Sequence, residues 1–300
     1  ATDLRDAIFR LADLRGADLS HADLRGVYLG HISLYGMVFQ SIRLDGATMR
    51  GTDLRGVNCS GVIFQNVDLQ GANFLNADLR GADLSFTNLS GQNLSGRDIQ
   101  GINFHGANLE NVDLTDITIS KMIQFYEPNS NNPSCSHPSD YFQDLIFQNR
   151  CATQVLQNES IRTDFSNANM KGVTISLSAP NNYIHFADFS GADLTGIDFS
   201  DLTFQACKFN GTNFNNNNIS DAGFLLCTFD NAEFVNSKFS NTIFQNVSFH
   251  NAKIIDGSFN NIYFLDYVNL SDADLSGTSI TDLTMLGDID LRCKNNQICE

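Results

Sequence analysis

The stretch ADLRGADLSHADLRG at residues 12–26 decides how this chain is read. A small residue, an Asp, a Leu and two turn-forming residues recur three times without a break. Working outward, an apolar residue falls at every fifth position from Leu4 to Ile119, through Phe9, Leu14, Leu19 and Leu24, in 24 consecutive units. Two residues before each sits a small or apolar side chain in most units, such as Ala7, Ala12, Ala17, Ala22 and Val27, and the residue between them is mostly Asp or Asn. Two residues after the large apolar position comes Gly in 13 of the 24 units, for example Gly16, Gly26 and Gly56.

A period of five matches neither a helix nor a long strand. Within each unit, however, the two apolar positions flank an outward polar one, which is local β alternation. The following Gly, Asn or Asp tolerates positive φ, so the chain can turn there. A short strand and a corner, repeated, must coil, and the coils then pair their backbones at about 4.8 Å spacing.

The pattern A-(D/N)-L-x-x, seen as ADLRG at residues 12–16 and ANFLN at residues 72–76, resembles the pentapeptide-repeat family. The resemblance covers nearly the whole chain outside one insert. It implies an all-β fold, a right-handed quadrilateral β-helix with four units per coil, so the first 24 units make six coils. A second block of 16 units runs from Phe189 to Phe264 in the same register, and 13 of its central residues are Phe. Asn replaces Gly at many of its corners, as at Asn216, Asn231, Asn236 and Asn241. Short runs flank this block, Phe165, Met170 and Ile175 before it and Leu270, Leu275, Ile280 and Met285 after it. Both are one residue out of phase, so a bulge or loosened corner is expected at each junction. The expected layout is a first block at 1–119, an insert at 120–162, a second block at 163–286 and a C-terminal cap at 287–300, about 12 coils in all.

The insert breaks the pattern. Pro128, Pro133 and Pro138 among Asn and Ser read as a loop. From Ser139 the spacing of Phe142, Leu145, Ile146, Ala152, Val155 and Leu156 predicts an amphipathic helix, making the insert partly helical. The rival reading is a degenerate coil, because LIFQN at 145–149 echoes VIFQN at 62–66. A smaller interruption lies at 176–183, around Pro180.

Composition narrows the function. Charged residues are 17 % and the formal net charge is -16. That balance argues against direct nucleic-acid or anionic-membrane binding, which needs Lys and Arg clusters. No apolar run of about 18 residues exists to span a membrane. The repeat is already running at Thr2 with no initiator Met or signal-peptide pattern, so a processed or trimmed N-terminus is expected.

Seven cysteines divide into two groups. Cys59, Cys207 and Cys227 take inward positions, where a thiol acts as a small hydrophobe. Cys135, Cys151, Cys293 and Cys299 lie outside the repeats as two local pairs, candidate disulfides that favour an oxidising compartment; the alternative is four free thiols. Cys135, His137 and Cys151 fit no standard zinc spacing, so no metal is assigned. His21, His31, His105, His185 and His250 are scattered, with no nucleophile or paired carboxylate beside them, so no catalytic residue and no cofactor is expected.

The second block carries the clearest surface feature. Leu225, Leu226, Ile243, Tyr263 and Leu265 are outward neighbours of one Phe column, where other outward positions are polar. An apolar cluster on a rigid face suggests a protein partner, another subunit or the packed insert. Tyr28, Tyr35 and Val38 form a weaker group. The expected function is a non-catalytic binding or scaffolding solenoid, recognising a protein through the insert and this face, with homo-oligomerisation among the expected assemblies. The first alternative comes from the resemblance, because some members mimic a DNA duplex and bind a type II topoisomerase, gyrase. Here the column Asp13, Ser33, Asp53, Asn73, Asn93, Asp113 is diluted and has Arg15 and Arg55 beside it, and the column Asp188, Lys208, Thr228, Ser248 is weaker still. The second alternative is a solenoid-hosted enzyme.

Overall fold

The computed structural model describes residues 2–39, 42–118, 163–175, 177 and 183–299. The expected insert helix, Cys135, His137 and Cys151, and nearly all of the interruption around Pro180 lie outside the described residues.

Each five-residue unit supplies one short parallel bridge, and four units close a coil. Asp3 pairs with Asp23, Asp23 with Arg43, and the same column continues through Ile63, Asp83 and Asn103. Four such columns stand side by side, passing through Asp3, Ile8, Ser33 and Asp18 respectively, and they form the four faces of a parallel β-solenoid. No described segment is helical. The corner residue two places after the inward Leu or Phe is left-handed whether it is Gly16 (φ 70°), Asn231 (φ 62°) or His21 (φ 61°). The corner is therefore fixed by the coil, and residue type only sets how much strain it carries.

The insert does not interrupt the stack. Asn103 pairs with Asp164, Asn108 with Asn169 and Asp113 with Thr174, so the coil after the insert sits directly on the coil before it. Asp164 then pairs with Asp188, which carries the first face on through Lys208 and Thr228 to Ser248.

In the second half the ladders lengthen into strands. On the fourth face lie β1 (Tyr183–His185), β2 (Thr203–Gln205), β4 (Gly223–Leu225) and β6 (Ile243–Ser248). On the third lie β3 (Asn218–Ser220) and β5 (Lys238–Ser240), while β7 (Ser258–Asn269) and β8 (Ser279–Asp290) run from the third face across the fourth onto the first, which β6 also reaches at Ser248. All pairs are parallel, in the order β1-β2-β4-β6-β7-β5-β3 with β8 on β7. The expected one-residue phase change before Leu270 is taken up as a bulge. Gln245 faces Leu265 but Val247 faces Val268, so Asn246 spans both Asp266 and Tyr267.

The lumen of the second half is filled with rings. Phe204, Phe224 and Phe244 stack at 5.1 and 5.3 Å with interplanar angles of 6° and 9°. Phe104, Phe165 and Phe189 carry another ring column across both interruptions at 5.2 and 4.9 Å. Where columns of neighbouring faces meet, some rings turn edge to face, as for Phe224 and Phe229 (5.2 Å, 77°). Most contacts within a column are stacked, with Phe239–Phe259 and Phe244–Phe264 edge to face, and contacts between columns run from tilted to T-shaped. Each fully buried ring contributes about 1.5–3 kcal/mol by removal from water alone.

Several polar residues at the small inward position reach the coil below, whereas Thr87 Oγ1 bonds Leu84 O within its own coil. Thr52 Oγ1 donates to the Leu29 carbonyl, Thr212 Oγ1 to Phe189 and Ser237 Oγ to Phe214, each at 2.7 Å. Asn217 Nδ2 does the same to Leu194 at 3.1 Å. The acceptors Leu29, Phe189, Phe214 and Leu194 all lie in the coil below, so their donors sew adjacent coils together from inside.

At the C-terminal end Lys294 bridges Asp274, and Asn296 Nδ2 donates to the carbonyls of Leu275 (3.3 Å) and Thr278 (2.8 Å). Cys293 and Cys299 are joined by a disulfide, and Leu291 and Ile298 pack against the core.

Candidate partner-binding face

The fourth face of the second half is built by register. Tyr183, Thr203, Gly223, Ile243 and Tyr263 are successive partners in one outward column; His185, Gln205, Leu225, Gln245 and Leu265 form the next. The five residues expected from sequence fall together here. Ile243 is 40 % exposed, while Leu225, Leu226, Tyr263 and Leu265 are half-buried.

The adjoining corner is unusual. Phe186, Ala206 and Leu226 occupy it in three successive coils at φ 58°, 53° and 56°. Most other corners hold Gly, Asn or Asp, which accept this conformation cheaply. An apolar β-carbon there costs about 1 kcal/mol per residue. The coil holds these residues in place through backbone bonds, Phe186 N–H to Gln205 O (3.0 Å), Ala206 N–H to Leu225 O and Leu226 N–H to Gln245 O (both 2.9 Å). Three strained apolar corners in a row border the face, with Phe186 and Leu226 half-buried and Ala206 buried.

At the N-terminal end of this face the Tyr183 ring stacks on His185 (5.7 Å, 3°), with Phe186 next to it at 6.1 Å. His185 is buried although its position faces outward. That burial pushes its imidazole below the ordinary histidine range, partly opposed by a hydrogen bond with Gln205. At the other end Tyr267 is exposed beside the bulge. The sequence reading missed Tyr183, His185, Phe186 and Tyr267. The first three could have been found by carrying each column back 20 residues from Thr203, Gln205 and Ala206. The broken spacing just before Tyr183 hid that step.

The other singled-out residues are dispersed. Tyr28 lies in the second column, between Ile8 and Thr48, whereas Val38 lies in the fourth, between Asp18 and Asn58. Cys59, Cys207 and Cys227 are buried free thiols. Burial pushes the Cys59 and Cys227 thiols up, away from the reactive thiolate. His21 and His31 sit at corners. His105 Nδ1 meets Ser166 Oγ at 2.7 Å and His250 Nδ1 meets Ser271 Oγ at 2.9 Å, contacts between equivalent corners of neighbouring coils. Among the described residues, no group of three or more His, Cys, Asp or Glu is placed to hold a metal ion. No helix among them is long and apolar enough to cross a membrane.

The acidic columns are locked internally. Arg5, Arg15, Arg55 and Arg80 each clamp the Asp two residues earlier, at 2.6–2.8 Å. The clamping guanidiniums hold Asp3, Asp13 and Asp53 at about 2, well below the usual carboxylate range. Lys208 pairs with Asp188 at 3.4 Å.

A family model described as Pentapeptide repeats matches in 8 copies, over residues 1–30, 32–71, 58–96, 93–120, 184–221 and 224–261, more than half of the chain. No curated protein matches in sequence. Among solved structures, HetL of the cyanobacterium Nostoc, a pentapeptide repeat protein involved in heterocyst differentiation regulation, is 20 % identical over 97 % of this chain and 85 % of its own, with a TM-score of 0.19. A pentapeptide repeat protein of the Arabidopsis thaliana thylakoid lumen is 30 % identical over 33 % of this chain and 63 % of its own, with a TM-score of 0.19. QnrB1, a plasmid-mediated fluoroquinolone resistance protein, is 13 % identical over 95 % of this chain and 90 % of its own, with a TM-score of 0.27. At such scores the fold rests on the family model and the coil geometry.

Proposed function

The chain belongs to the pentapeptide-repeat family, and from that premise we propose that it is a non-catalytic scaffold whose fourth face in the second half, together with the insert at 120–162, binds a protein partner. The observation that carries this reading is the corner of Phe186, Ala206 and Leu226. A fold that accepts Gly or Asn there at little cost instead holds three apolar side chains in left-handed backbone, beside the column of Ile243 and Tyr263. Local strain kept by a rigid frame is typical of recognition surfaces. The clamped carboxylates favour this reading over topoisomerase-directed DNA mimicry, because Arg15 and Arg55 interrupt the negative column that a duplex surface would need.

The test is affinity capture with three forms of the chain. They are the intact protein, one with 120–162 replaced by a short linker, and the double variant Leu226→Asn/Ile243→Asp. The expected result is a specific protein retained by the intact chain and lost from the double variant. The same proteins captured by all three forms would remove both the insert and this face from recognition. Recovery of topoisomerase subunits would favour mimicry instead.

A further inference from the structure

The final strand of the described solenoid has one open side. β8 is joined to β7 by eleven residue pairs, from Ser258–Ser279 to Asn269–Asp290, and among the described residues it pairs with no other strand. The tail closes only part of that end, through Lys294 over Asp274 and Asn296 over Leu275 and Thr278. Residues 283–288 are left outside this closure. Met285 stands over Phe264 at an inward position, yet it is 42 % exposed where Phe244 and Phe264 below are at 0 %. Leu286 next to it is 62 % exposed.

The backbone there is primed for pairing. Lower in the stack, Leu24 N–H donates up to Arg43 O, Gly26 N–H donates up to Asp45 O, and Ala22 O accepts from Arg43 N–H. By the same repeat, the N–H group of Met285 and the carbonyl of Leu283 point to the open side. A row of free backbone groups next to apolar side chains is a template for an added strand. Asp282 and Asp288 flank the row. The nearby cations are already engaged, Arg292 by Asp290 and Lys294 by Asp272.

We propose that the open edge of β8 binds an extended, basic segment of another protein as an added strand. Its Lys or Arg side chains lie by Asp282 and Asp288, and an apolar residue covers Met285 and Leu286. A second copy of this chain is a poorer occupant, since it brings the same carboxylates and a formal net charge of -16. The edge is separate from the wall around Ile243, and the proposal does not depend on that reading.

The probes are a fluorescent peptide, acetyl-Lys-Val-Thr-Val-Lys-Val-Thr-amide, and its twin with Ser for each Lys, read by fluorescence anisotropy with sedimentation velocity alongside. The lysine probe is expected to bind the intact chain, and to bind Asp282→Asn/Asp288→Asn about tenfold more weakly. Met285→Ser/Leu286→Ser, with its circular dichroism unchanged, should lose binding, whereas Ile243→Asp/Tyr263→Asp on the wall should keep it. The proposal is overturned if the intact chain does not bind, or if both probes bind all variants equally. It is also overturned if sedimentation shows a dimer that Met285→Ser/Leu286→Ser abolishes, which would assign the edge to a second copy.

Discussion

The two halves of this solenoid reach the same coil with different chemistry. In the first, inward positions are mostly aliphatic, such as Leu24, Leu34, Leu44 and Leu54, many corners are Gly, and Asp-x-Arg clamps decorate the outside. In the second, the lumen is a lattice of Phe rings, corners are often Asn, and side-chain amides form ladders outside, as from Asn251 to Asn231 (2.7 Å) and Asn261 to Asn241 (2.9 Å). What is common to both halves is the alternation of inward and outward positions and a corner residue that can turn. Side-chain identity within that frame is free to vary, and it decides rigidity and surface character.

The largest effect should come from the ring lattice. Phe224 stacks on Phe204 and Phe244 and meets Phe209 and Phe229 edge to face. Phe224→Ala should cost about 3–5 kcal/mol in urea unfolding. Leu54→Ala in the first half should cost about 2–4 kcal/mol, since it loses aliphatic packing without ring pairs. Equal losses would mean that the rings act as bulk filler and the halves differ in name only.

Next come the internal donors, which both halves share. Thr212→Val keeps the shape but removes one of the two donors to the Phe189 carbonyl, which still accepts from Ala192 N–H, at an expected cost of about 1 kcal/mol. Thr52→Val should cost the same, because Leu29 O accepts from Thr52 Oγ1 at the same 2.7 Å. A difference between the two would show that the first half is looser inside.

Corners sharpen the contrast further. Asn231→Ala at φ 62° should lose about 1 kcal/mol, and Gly56→Ala at φ 66° a similar amount. Gly56 takes part in no side-chain ladder, so a larger loss at Asn231 would measure the bond from Asn251, and equal losses would show that the ladder adds nothing.

The smallest effect is a pH dependence confined to the second half. Burial depresses the His185 imidazole, so the unfolded chain binds a proton there more readily than the folded one. Its contribution is fully present above about pH 6.5 and is lost as pH falls through the lower folded value. Unfolding midpoints recorded from about pH 7 down to about pH 5 should fall less in His185→Gln than in the parent. A parallel fall in both would place the titration elsewhere.

Much of the candidate face was legible once columns were counted. Leu225, Ile243 and Tyr263 are out of place among polar neighbours because the outward position of a regular coil has no packing role to explain them. Tyr183 and Phe186 were missed because the interruption just before them breaks the forward count, although counting back 20 residues from Thr203 and Ala206 reaches them, and pairing places Tyr183 on Thr203. The burial of His185 was also hidden, because its position in the unit predicts exposure.

The sequence alone determined the coil. A period of five with two inward residues and one turn-tolerant corner leaves the backbone no other regular way to bury its apolar side chains. Tertiary structure alone decided that the coil at Asp164 rests on Asn103 across the insert, that the lost phase is absorbed as a bulge at Asp266 and Tyr267, and that β8 is left with an unpaired edge. The reason is that local pattern fixes which side of the chain faces inward. Which coil lies on which is settled by backbone pairing between residues far apart, and a five-residue pattern that is nearly the same in every coil carries no record of it.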